Sequence, residues 1–168
     1  YDLIGDQLIP MRILGTEYVT GGGFFYLVAT EDSTLINISY TNYSGEISTI
    51  DTILNRGKTL GIVDLVDKPL ENSFHILTSV PTYIFLIKQL GYEYGGSAIP
   101  AINCTGSRHI SVANTAEETL IFEVVTKTEN AKNFMLNGVS YNFGDSANSN
   151  NWFYGYAYLN AQDYPLNK

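Results

Sequence analysis

Apolar and polar residues alternate with a period of two along most of this chain, the mark of half-buried strands rather than helices. Phe25, Leu27 and Ala29 alternate with Phe24, Tyr26 and Val28 ahead of the polar turn Glu31-Asp32-Ser33. Leu35-Ile36-Asn37-Ile38-Ser39-Tyr40 reads as the returning strand. Asn55-Arg56-Gly57-Lys58 has turn chemistry, because glycine supplies positive φ without steric cost, and residues 59–63 resume the strand pattern. Phe74-His75-Ile76-Leu77-Thr78 and residues 83–88 read as a further pair of strands broken by Val80-Pro81-Thr82. The second of these is apolar on both faces, which predicts an inner strand.

The pattern stops at the glycine-rich residues 91–96 and restarts with predicted strands at 108–113 and 120–127. Phe134-Met135-Leu136 and Val139-Ser140-Tyr141 flank Asn137-Gly138, a strong short hairpin signal because a type I′ turn needs positive φ twice. Residues 145–151 are polar and read as a loop, and residues 152–159 form a last, aromatic-rich strand. A faint repeat supports two copies of one unit. Gly5-Asp6-Gln7-Leu8-Ile9-Pro10 precedes Leu14-Gly15-Thr16, and Gly96-Ser97-Ala98-Ile99-Pro100 precedes Thr105-Gly106-Ser107. These patterns predict an all-β chain of two consecutive antiparallel units, residues 1–94 and 95–168, the second truncated at its C-terminal side. Short, turn-linked strands favour a β-sandwich-like architecture, with propeller-like blades as the alternative.

Composition agrees. Of 168 residues, 45% are apolar and 15% charged, so the chain can bury a core, and its 13 tyrosines suit a pleated surface. Nine basic against 17 acidic residues leave a net charge of −8. Nucleic-acid binding needs clustered Lys and Arg, so that class is excluded as an expectation, and no apolar run approaches the roughly 20 residues of a membrane-spanning helix. Cys104 stands alone and rules out an internal disulfide.

Catalytic chemistry is poorly represented. His75 and His109 lie in predicted strands with no recognisable partner, and Ser107 beside His109 is not a triad, because geometry rather than adjacency makes one. Gly21-Gly22-Gly23 lacks the Lys-Ser/Thr ending and the helix of a phosphate loop. Asp64 with Asp67 could offer oxygens to calcium, but the spacing matches no EF-hand or nonapeptide calcium loop, so no metal or other cofactor is expected. The reading is therefore of a protein that is not an enzyme.

Candidate ligand contacts are aromatic. Tyr92 and Tyr94 fall in the predicted glycine-rich loop, and Trp152, Tyr154, Tyr156 and Tyr158 in the last strand, with the three tyrosines on one face. Rings with a polar tip suit protein and glycan surfaces, although cross-strand packing uses the same residues. Asn37, Asn42 and Asn103 each begin an Asn-x-Ser/Thr triplet, glycosylation acceptors if the source is eukaryotic.

Three elements in order carry a family resemblance: Leu14-Gly15-Thr16-Glu17-Tyr18, Phe25-Tyr26-Leu27-Val28-Ala29-Thr30-Glu31-Asp32-Ser33-Thr34 and Leu54-Asn55-Arg56-Gly57-Lys58. Together they resemble the IgGFc-binding protein N-terminal domain family. Ser79-Val80-Pro81-Thr82-Tyr83-Ile84-Phe85 is a looser match, and Cys104-Thr105-Gly106-Ser107-Arg108 and Phe134-Met135-Leu136-Asn137-Gly138 are similar to the continuation in bacterial members. The resemblance implies an extracellular, cell-surface or secreted location and an adhesin-like role in binding or cell adhesion. Surface glycoproteins, mucins or glycans become the expected partners, with immunoglobulin Fc suggested by the family name alone. A structural spacer or stalk without its own ligand is the first alternative, and a carbohydrate-active or carbohydrate-binding domain the second.

Overall fold

A computed structural model describes residues 14–21, 23–42, 46–62, 72–90, 93–104, 119–136, 138–143, 145–149 and 152–160. The chain is all-β and antiparallel, and among the described residues short 3-10 turns lie at Ile102–Cys104 and Thr128–Asn133. Seven strands make the main sheet: β1 (Gly15–Thr20), β2 (Phe24–Val28), β3 (Thr34–Asn42), β4 (Ile47–Leu54), β5 (Thr59–Gly61), β6 (Asn72–Leu90) and β7 (Glu93–Ala98).

β6 organises this sheet. Its first half pairs with β1 and β3, and β4 adds beyond β3. Its second half pairs with β2 and β7, and β5 adds beyond β2. The two halves face each other. Phe25 on β2 is in register with Leu86, and a straight strand would hold Phe74, twelve residues earlier, about 40 Å away. Their rings nevertheless meet edge to face at 4.9 Å, so the sheet curls over and encloses the core between its halves.

The corner lies where the sequence predicted a break. Between the pairs Gly15↔Thr82 and Glu17↔Leu77, β1 advances two residues while β6 advances five. Pro81 has no N–H to give a ladder, and the carbonyls that the corner frees are taken by hydroxyls. Thr78 Oγ1 and Thr82 Oγ1 donate to the Val80 carbonyl at 2.8 and 3.0 Å, and Thr30 Oγ1 donates to Pro81 O. The expected pair of strands is thus one strand turned through a corner.

Side-chain alternation fills the interior. Tyr18, Phe25, Leu27, Ile36, Ile38, Ile62, Phe74, Ile76 and Ile84 are buried, and Ile99 and Ala101 join them from beyond β7. Burying each large side chain stabilises the fold by about 1.5–3 kcal/mol before entropy is counted. The junction anticipated between residues 94 and 95 lies inside β7.

A second sheet is built from β8 (Thr119–Lys127), β11 (Asp145–Ser149) and β12 (Trp152–Asn160), with β12 central. Residues 145–149 were expected as loop. They form a strand because β12 offers them a ladder from Asp145↔Tyr156 to Ser149↔Trp152. β9 (Met135–Leu136) and β10 (Val139–Ser140) form the small hairpin that Asn137-Gly138 announced, with Gly138 at φ +82°. The second sheet rests on the outer face of the first, where β11 lies against β3 and β6. The outward residues Ser39, Thr41 and Ser73 are consequently buried.

The predicted strand at 108–113, the first copy of the Ile-Pro repeat, His109, Asp64, Asp67 and Tyr92 lie outside the described residues.

Candidate functional site

The segments that carry the family resemblance have structural work. Gly57 N–H donates to the Ala29 carbonyl at 2.9 Å and Ala29 N–H to the Lys58 carbonyl at 3.2 Å, binding the β2–β3 turn to the β4–β5 turn. Asp32 Oδ1 accepts from Arg56 N–H at 3.1 Å, and Asn55 Oδ1 accepts from Ser33 N–H at 3.2 Å, so each turn caps the other. Ser33 and Gly57 both sit at positive φ, 56° and 73°, which sharpens both turns. In the first segment, a Cβ built on Gly15 would fall 2.4 Å from Ala101 Cβ, so only glycine lets β1 approach residue 101. Tyr18 is fully buried, and its hydroxyl accepts from Gly15 N–H at 2.9 Å and reaches the carbonyls of Gly15 at 2.7 Å and of Thr82. Burial raises the Tyr18 pKa above its ordinary value, against the lowering effect of its hydrogen bonds to Gly15 and Thr82.

A polar and aromatic cluster joins the two sheets. His75 Nε2 lies 2.8 Å from Glu17 Oε1. The His75 ring stands 6.2 Å from Trp152, and Lys127 Nζ sits 3.9 Å above the Trp152 ring. Trp152, one of the predicted ligand contacts, is 9% exposed and serves as the joint between sheets. A second aromatic group, Phe134, Tyr141, Phe143 and Phe153, packs the hairpin onto β12, with centroid separations of 5.1 to 5.8 Å.

The other candidates disperse. Tyr94 was expected in a loop, but it lies in β7 opposite Gln89, because β6 supplies a ladder to this glycine-rich segment. Tyr154, Tyr156 and Tyr158 lie on β12 in register with Val125, Glu123 and Ile121 of β8. Asn37 donates from Nδ2 to Asp51 Oδ1 at 2.7 Å on the outer face, Asn42 ends β3 opposite Asn72, and Asn103 is exposed beside the exposed Cys104. Among the described residues no group of three or more His, Cys, Asp and Glu could hold a metal ion, and no helix is long and apolar enough to cross a membrane.

What sequence reasoning overlooked is a shallow open groove of about 610 Å³ on the outer face of β4, β3 and β6. Leu35, Ile53 and Leu77 line it and are 56, 62 and 43% exposed, with Asn37, Asp51 and Ser79 as polar margins. The second sheet covers one end of this face and leaves the Leu35 end open. A signal existed. Leu35-Ile36, Ile53-Leu54 and Ile76-Leu77 each set two apolar residues side by side, so that one of each pair must face outward.

No family model matches the chain, and no curated protein matches it. Among solved structures, a chain described as the crystal structure of Thermotoga maritima 1070 aligns at 14% identity with a TM-score of 0.37, over 51% of this chain and 91% of its own. A likeness at that level carries no argument about function.

Proposed function

We propose that this chain is a non-enzymatic, sandwich-like binding module of an extracellular or cell-surface protein, and that its ligand is a protein. The observation that carries this reading is the open aliphatic surface of Leu35, Ile53 and Leu77 on an otherwise well-packed sheet. Exposed apolar patches rimmed by polar groups mark interaction surfaces. Aliphatic side chains suit apolar protein groups, whereas sugar rings are usually held on aromatic platforms. The resemblance to the IgGFc-binding family supports the extracellular setting and makes mucins, other surface glycoproteins and immunoglobulin Fc the first partners to test.

The test is a binding screen of the chain against mucin, immunoglobulin Fc and purified glycans, run beside Leu35→Asp and Leu77→Asp. The expected outcome is retention of a protein or glycoprotein that either substitution abolishes while the circular dichroism spectrum is unchanged. Silence against every protein would instead favour a spacer, and binding to free glycan that ignores both substitutions would favour a carbohydrate-binding domain.

A further inference from the structure

We infer that β4 is a docking edge and that its occupant is β4 of a second copy of this chain. Among the described residues β4 pairs with β3 alone, through eight uninterrupted register pairs from Thr34↔Leu54 to Thr41↔Ile47. A regular edge strand presents a row of backbone donors and acceptors to any chain that matches it. Proteins normally blunt such edges with lysine, proline, a bulge or an outward charge. β4 has none of the first three, and its only charged residue is Asp51. The Asp51 carboxylate is engaged backward over the sheet by Asn37 Nδ2 at 2.7 Å, which weakens it as a guard.

The sequence of β4 is self-complementary in one register. An antiparallel pair related by a two-fold axis at Ile50 sets Ile50 opposite the partner's Ile50, Thr49 opposite the partner's Asp51 and Ile47 opposite the partner's Ile53. Ile47 and Ile53 are 61% and 62% exposed and occupy the same outer face, so this register buries both at each end of the contact. Moving the axis to Asp51 would put two carboxylates directly opposite each other, which is unfavourable. Moving it to Thr49 would carry Ile53 beyond the end of the partner strand. The Ile50 register also continues the apolar row that begins at Leu35, whose cross-strand neighbour is Ile53. Each copy carries a net charge of −8, so like charge opposes the association and salt strengthens it. The inference is argued from the edge and register of β4, not from the adhesion reading, although the pairing covers Ile53 at the rim of the outer groove.

Sedimentation velocity of the 168-residue chain, over a range of concentration and salt, tests it together with amide hydrogen exchange. The expected result is a monomer–dimer equilibrium that moves toward dimer with added salt, while β4 amides exchange more slowly as dimer accumulates. Ile47→Lys and Ile53→Glu should each weaken the dimer about tenfold, and the two combined should restore it, because each lysine then faces a glutamate of the partner. Both positions are exposed, so unchanged thermal melts verify that the variants fold. A chain that stays monomeric throughout overturns the inference, as does a dimer indifferent to both substitutions or a combined variant no tighter than either single one. Slowed β4 exchange only after adding a different protein would likewise overturn it and assign the edge to another partner.

Discussion

Tyr18 does more for the frame than its neighbours on β1, because its buried hydroxyl ties two strands through main-chain atoms of Gly15 and Thr82. Tyr18→Phe keeps the ring and leaves those groups unpaired, so a loss of about 1–3 kcal/mol is expected in urea denaturation. The pH dependence follows from the raised pKa. The folded state holds the phenol proton more tightly than the unfolded state, so this contribution is whole below about pH 10. It is lost as pH rises toward the folded-state pKa. Stability should therefore fall above pH 10 in the native sequence and fall less steeply in Tyr18→Phe, as denaturation midpoints across the alkaline range would record. Gly15 makes the complementary point about space. Gly15→Ala should destabilise by about 1–3 kcal/mol through overpacking against Ala101, and Ala101→Gly should recover part of that loss in a double-mutant cycle.

At the scale of elements, the two turns at 29–34 and 55–58 act as one clasp. Asp32 and Asn55 each accept a main-chain N–H from the opposite turn, so removing either loosens the partner of the other. Asp32→Ala and Asn55→Ala should each cost about 0.5–1.5 kcal/mol, and the double variant should cost less than the sum. Gly57→Ala meets open space but a φ of +73°, so its cost, about 1–2 kcal/mol in thermal denaturation, is conformational. Local chemistry of this kind was legible in the sequence. Asn55-Arg56-Gly57-Lys58 and Asn137-Gly138 read as turns because the residues themselves carry the backbone preference. Three other segments were harder to read. The glycine-rich stretch around Tyr94 and the polar residues 145–149 have poor strand composition, yet each is a strand because the strand next to it in the chain supplies a ladder, β6 for the first and β12 for the second. Val80-Pro81-Thr82 reads correctly as an interruption, but it is a corner within one strand rather than a gap between two.

For the whole molecule, the joint between sheets runs through Trp152, which meets His75 of the main sheet and carries the Lys127 ammonium over its ring. Trp152→Ala should open a cavity worth about 3–5 kcal/mol if the two sheets unfold together. The local arrangement points to a narrower effect, since the main sheet has its own core from Tyr18 to Ile84. Amide exchange should accelerate in β8, β11 and β12 of this variant while β3 and the first half of β6 stay protected. Equal acceleration in both sheets would show one cooperative unit. The outer groove also belongs to this scale, because Leu35, Ile53 and Leu77 come from three strands that the pairing order β4-β3-β6 brings side by side.

The sequence by itself determined that the chain is β, where most strands run and which turns are tight, since alternation and turn preference are properties of neighbouring residues. Tertiary structure alone decided that the strands on either side of Pro81 are one strand turned through a corner, that the motif residues clasp turns, and that Trp152 is covered while Leu35, Ile53 and Leu77 are left open. Which side of a strand meets a second layer depends on contacts between residues far apart in the chain. Period-two patterning sorts side chains into two faces, but the packing of distant strands determines which face is covered.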